Sequence, residues 1–229
     1  MIVTINQPAY LPWLGYFDRI RRADVHVVLD HVQFEKNSFV NRNKIRKQGN
    51  SLMLTVPLKT KGRFGNLAIN HLEMVDCPWQ KKHLTSIKHS YSKAKYFNYI
   101  ADDIEGILGF DFAGAFLKMV MAFQEYFLRK LSIDTKVIHS SEMNLKESKE
   151  DLILEICKKL KAKVYISGPF GREYLEEDRF KDCGIKLLYH DYHHPTYTQL
   201  FNGFDKNLSI VDLMFNHGPD SLDILKSGE

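Results

Sequence analysis

The residues best suited to chemistry fall in three short stretches. The first is NQPAYLPWLGY (6–16). Its amides, Asn6 and Gln7, can read polar edges, and Tyr10, Trp13 and Tyr16 can stack on a base or a sugar. Pro8 and Pro12 fix the path of the backbone. Gly15 leaves room for a phosphate to approach backbone N–H groups at the start of a helix. The same composition also suits a rigid turn whose aromatics plug the core.

The second stretch, DHVQFEKNSFVNRN (30–43), carries Asp30, Gln33, Lys36, Arg42 and Asn43. Arg42 can grip a carboxylate or phosphate as a fork, and Lys36 can act as a point charge. Asp30 can orient an amine, hold magnesium or act as a base. A solvated polar loop is the alternative. The third stretch, ISGPFGREYL (166–175), offers Ser167, Gly168 and Arg172 to an anion, although a plain turn also explains its glycines.

A fourth stretch, HDYHH (190–194), would put His190, Tyr192 and His194 on one face if it were a strand. Alternate histidines can ligate zinc or iron, but no third ligand stands at a telling spacing, so no metal site is assigned. A neutral imidazole is the better base near neutral pH, which makes His194 and Asp30 the two candidate proton acceptors.

The elements that must position these residues follow from periodicity. Ile2–Ile5 and Val25–Leu29 read as short buried strands, with a helix over Trp13–Ala23 between them. Strand, helix and strand within so short a span open a parallel α/β sheet. Asp30–Gln48 reads as a loop over the sheet edge, and Ser51–Val56 and Leu67–Leu72 read as strands. KTKGRFGN (59–66) between them reads as a mobile connection. Helical spacing takes over at 79–131, where Phe112, Phe116, Met119, Val120, Phe123 and Phe127 share a face. Strands then recur at Thr135–Ile138, Lys163–Ser167 and Ile185–Tyr189. A helix capped by Ser148 and a last helix over Leu208–Asn216 complete the pattern. The expected fold is α/β, Rossmann-like, with a mainly parallel sheet: one domain over 1–229 with a helical section around 79–131. Ligands of such sheets gather beyond the carboxyl ends of the strands, so the three stretches are expected to meet in one crevice.

Composition narrows the function classes. The chain has 229 residues and a formal charge of +4, a mild excess that suits anionic small molecules and does not point to nucleic acid. The three cysteines are odd in number and lack a CxxC pair, which argues against a disulfide framework and fits a reducing compartment. No signal-peptide pattern and no apolar run of bilayer length are present, so a cytoplasmic protein is expected.

QPAYLPWLGYF at 7–17, VQF at 32–34, NRNKI at 41–45, YISGPFGREYL, GIKL, PTYTQ at 195–199 and LSIVDLMFN at 208–216 together resemble the WbqC-like proteins of bacterial O-antigen and polysaccharide gene clusters. The resemblance runs in order over nearly the whole chain. It implies a role in making surface sugars such as those of lipopolysaccharide, through modification of a nucleotide-linked amino sugar, and brings no assigned catalytic residues or cofactor with it. A weaker resemblance is to the nucleotidyltransferase and pantothenate-synthetase superfamily. There an HxGH-like motif follows the first strand; here WLGY at 13–16 stands in its place. Tryptophan and tyrosine cannot stabilise a transferring phosphate as two histidines do, which puts adenylyl transfer in doubt. The expectation is therefore a transferase that joins a nucleotide-linked amino sugar to an activated acyl or aminoacyl donor. A non-catalytic binding protein for nucleotide sugars or a partner enzyme is one alternative. A metal-dependent hydrolase using the 190–194 cluster is another.

Overall fold

The computed structural model describes residues 1–63 and 65–228; Phe64, within the KTKGRFGN connection, lies outside the described residues. In chain order the main elements are β1 (Ile2–Asn6), α1 (Leu14–Arg21), β2 (Val25–Val28), β3 (Arg42–Lys47), β4 (Asn50–Thr55), α2 (Trp79–Tyr91), α3 (Phe97–Gly109), α4 (Phe116–Lys130), β5 (Lys136–His139), α5 (Lys149–Lys159), β6 (Val164–Ser167), α6 (Glu177–Asp182), β7 (Lys186–Tyr189), α7 (Ile210–His217) and α8 (Ser221–Lys226).

Five strands form one parallel sheet in the order β5–β2–β1–β6–β7. The fold is thus α/β and Rossmann-like. The chain works outward from β1 in one direction and then the other, so the strand order reverses between β1 and β6. That junction is the switch point at which such sheets leave a crevice beyond their carboxyl ends.

The two faces of the sheet differ in chemistry. Val3 and Ile5 of β1 and Val25 and Val27 of β2 point toward α5 and α6, where Leu152, Ile156, Cys157 and Phe180 close a dry layer. Burying each such aliphatic side chain stabilises by about 1.5–3 kcal/mol. Strand residues alternate faces, so Thr4, Asn6 and His26 turn the other way, beneath α1. That face is polar at its centre and becomes apolar only where Phe17, Ile20, Phe123 and Phe127 pack around it.

Three expectations change. Asp30–Gln48 is not all loop: its last part is β3, paired antiparallel with β4. RNKIRK is too basic to look like a strand, yet Asn43 and Ile45 alternate inward and are buried. Leu67–Leu72 is not a strand but a single 3-10 turn, Ile69–His71, with Ala68 bridging Gln33. HDYHH is not a strand either, because β7 ends at Tyr189.

The opening loop is a structural hub. Tyr10 N–H donates to the Val40 carbonyl (2.9 Å), and Ile210 N–H donates to the Pro12 carbonyl (2.8 Å). Asn43 Nδ2 donates to the Leu11 carbonyl (2.7 Å). The loop therefore ties the sheet to the β3–β4 hairpin and to α7.

Candidate functional site

Parallel register aligns Asn6 of β1, Val28 of β2 and His139 of β5 in one row at the carboxyl edge. Asp30 stands two residues past β2, in the crook beside β5. Its carboxylate is buried and accepts four hydrogen bonds. Ser140 Oγ and Ser141 N–H donate to Oδ1, both at 2.9 Å. Ser141 Oγ (2.8 Å) and His139 Nδ1 (2.9 Å) donate to Oδ2. Burial pushes this carboxyl up, but the donors from His139, Ser141 and Ser140 outweigh it and hold the carboxyl below its ordinary value.

In the neutral ring, a carboxylate on Nδ1 selects the tautomer of His139 with the proton on Nδ1 and the lone pair on Nε2. The His139 side chain is partly exposed and lines a groove of about 750 Å3 between α4 and the β5 edge. Gln124, Glu125 and Arg129 share that lining. The arrangement is an oriented imidazole with a negative partner behind it and open space beside it. That geometry suits a general base. Asp30, with all its acceptor positions used, is the residue that positions it.

The polar face under α1 carries the second part of the site. Arg19, one turn after Tyr16, lies over the β1–β6 junction and donates through Nη2 to Asn6 Oδ1. A Cβ at position 168 would collide with Arg19 Nη1, so glycine there is what admits the guanidinium. Tyr16 hydroxyl donates to Gln124 Oε1 (2.7 Å). His26 is fully buried, and burial followed by the charges of Arg19 and His139 lowers its pKa to about 3, so it is neutral. Asn6 Nδ2, Arg19 Nε, His26 Nδ1 and Gln124 Nε2 are all buried without a hydrogen-bond partner among the described residues. Asn6 and His139 are two strands apart, about 10 Å at normal strand spacing.

The residues singled out in the sequence take the following places. Asp30, Ser167 and Gly168 stand at carboxyl strand ends as expected, and Gln7 follows β1, partly buried. Tyr10 is buried against Trp79, His83 and Phe123, and Tyr16 is buried against His26 and Gln124, so neither ring faces a ligand space. Trp13 leans on Tyr192, and its indole covers Gly15, whose missing side chain makes room for that ring and not for a phosphate. Gln33 spends its amide on the Phe34 carbonyl and the Leu67 N–H. Asn43 holds the Leu11 carbonyl. Arg42 bonds Asn37 within its own loop. Lys36 lines a basic surface hollow with Lys59, Lys61 and Arg63. Arg172 forms a fork with Asp191 (2.8 and 2.6 Å) above the Tyr189 ring.

Trp13, Arg42 and Arg172 therefore share no partner, and the expected single hollow built from them does not form. Asn6, Asp30 and Ser167–Gly168 do share the carboxyl edge of one sheet. His190 Nε2 meets the buried Asp18 carboxylate (2.6 Å), and His194 packs among Tyr192, Tyr197 and Phe204 with Nδ1 on the Pro195 carbonyl. Among the described residues no group of three or more His, Cys, Asp or Glu side chains is arranged to hold a metal ion. No described helix is long and apolar enough to cross a membrane.

The strands that meet at this edge come from both halves of the chain, from β1 to β7. A profile of the WbqC-like protein family matches residues 7–224. This chain belongs to the WbqC-like family. It is also 33% identical to the uncharacterised protein Rv1507c of Mycobacterium tuberculosis, over 98% of this chain and 97% of that one. No solved structure matches.

The sequence pointed to Asp30 but passed over His139 and Arg19. A signal existed for each. His139 directly follows an apolar strand, as Asp30 does. Arg19 falls three residues after Tyr16, on the same helix face.

Proposed function

We propose that this WbqC-like protein is a cytoplasmic transferase of surface-polysaccharide biosynthesis, with His139 as general base. Its acceptor is the amine of a nucleotide-linked amino sugar, and its donor an activated acyl or aminoacyl group. The observation that carries this reading is the Asp30–His139 pair opening on a groove. His139 Nε2 takes a proton from the attacking amine as the new C–N bond forms. The bond from the acyl carbon to its leaving group then breaks, and the leaving group departs with the electron pair. Asp30 offsets the positive charge that develops on the imidazole. The family's polysaccharide context supports the acceptor, and the three free cysteines are compatible with a reducing compartment.

The test is product analysis by mass spectrometry with nucleotide-linked amino sugars and acyl donors. His139→Gln should lower kcat by about 10²–10⁴ while leaving substrate binding within a few-fold. Tight binding of the sugar nucleotide without turnover in any donor combination would replace this reading with that of a binding protein.

A further inference from the structure

We propose that Arg19, Asn6 and Gly168 form an oxyanion subsite for a phosphate or diphosphate group of the ligand, at the switch point of the sheet. The inference deepens the transferase reading by naming the part of the ligand that is held, and it rests on that reading for the ligand's identity.

Arg19 is a cation drawn into the fold without a counter-ion. Among the described residues no carboxylate lies within ion-pair distance of it. Its facing groups are the Asn6 amide and the phenols of Tyr16, Tyr165 and Tyr174, all of them neutral. Burial pulls the Arg19 pKa down, which reflects the cost of desolvating a guanidinium that nothing nearby neutralises. The other arginines of α1 and the buried Arg46 do have carboxylates: Arg21 and Arg22 on Asp18, and Arg46 on Asp205. Arg19 Nε is buried with no hydrogen-bond partner among the described residues.

The guanidinium also stands where a ligand of this fold would arrive, beyond the carboxyl ends of β1 and β6. Gly168 lets the guanidinium reach this place, since any side chain there would meet Nη1. The short turn that follows, Pro169–Glu173, exposes Phe170, and Tyr174 just after it is also exposed. The exposed Tyr174 ring, near enough to act electrostatically on Arg19, suits a phosphate whose other end carries a base or sugar. A guanidinium fork matches phosphate oxygens better than an ammonium does.

The experiment is isothermal titration of the full chain with inorganic pyrophosphate, UDP and, as a carboxylate of similar charge, citrate, at constant ionic strength. Pyrophosphate and UDP should bind, with UDP the tighter. Arg19→Gln should weaken both at least tenfold. Gly168→Ala, which keeps the arginine but displaces it, should weaken both in the same direction, and it keeps the test decisive if Arg19→Gln fails to fold. The double variant Lys61→Ala/Arg63→Ala, in the surface hollow, should bind as the parent does. Unchanged affinity in both Arg19→Gln and Gly168→Ala, binding of citrate alone, or no binding at all would overturn the subsite. Phosphate binding that depends on Arg19 in a protein that never turns over would uphold the subsite and sink the transferase reading.

Discussion

Gly15 lacks a side chain because the Trp13 indole lies where one would be. The consequence is specific. In Gly15→Ala the added methyl must push the ring aside, and overpacking of this kind costs about 1–3 kcal/mol. Trp13 would lose its edge contact with Tyr192. Denaturant unfolding should register the loss, and the intrinsic fluorescence should shift as the indole gains exposure. An unchanged spectrum with unchanged stability would mean that the ring does not depend on the glycine. The same logic explains why QPAYLPWLGY reads as a ligand loop in the sequence. Its prolines, rings and glycine are what any rigid, closely approached loop needs, and only packing decides whether the space belongs to a ligand or to the protein's own indole.

At the scale of elements, the β3–β4 hairpin is held by buried amides as well as by the apolar contacts of Ile45 and Leu54. Asn43 is buried and holds the Leu11 carbonyl of the opening loop, while Asn41 Nδ2 closes the open end of the hairpin on the Val56 carbonyl (2.8 Å). Leu11 itself sits at a φ of 45°, a region that few residues other than glycine adopt, so its conformation depends on such ties. Asn43→Ala leaves a buried carbonyl without its donor and should cost about 1–3 kcal/mol, read as a lower denaturant midpoint at unchanged slope. The sheet strands were legible because β-branched runs such as VHVV are buried on both faces. The helices at 79–130 were legible from their spacing. Of the hairpin, β4 was legible and β3 was not, since RNKIRK shows one apolar residue among five polar ones. The site was half legible. Asp30 announces itself as an acid ending an apolar strand. Arg19 stands in a run, DRIRR, in which the other arginines do pair with Asp18, and nothing local separates it from them. Its distinction is tertiary: the polar face of a sheet whose partner strands are distant in the chain.

Across the whole molecule, acid should act with opposite sign at the sheet edge and at α7. At the carboxyl edge, Asp18 joins α1 to the segment after β7 through His190, and Asp30 joins β2 to β5. Burial raises both carboxyls, but their donors and cations win, and both lie below the ordinary value. A depressed folded-state pKa contributes stability above the unfolded value of about 4, and that contribution is lost as pH falls through the folded value. Asp212, on α7, is the reverse case. It is fully buried, and burial pushes its pKa to about 6 against the hydrogen bonds of Tyr91, Tyr197 and Gln199. The folded chain then holds a proton that the unfolded chain has released, so this contribution grows as pH falls from 7 toward 4. Relative to Asp212→Asn, the parent protein should gain about 1 kcal/mol between about pH 7 and pH 5. Hydrogen exchange, corrected for intrinsic rates, locates the two effects. At about pH 3, protection should fall first around 139–143 and 189–192, while 208–217 should keep its protection longest. Loss of protection at the same pH in all three segments would mean that the carboxylates of the sheet edge and of α7 do not divide the molecule's response to acid.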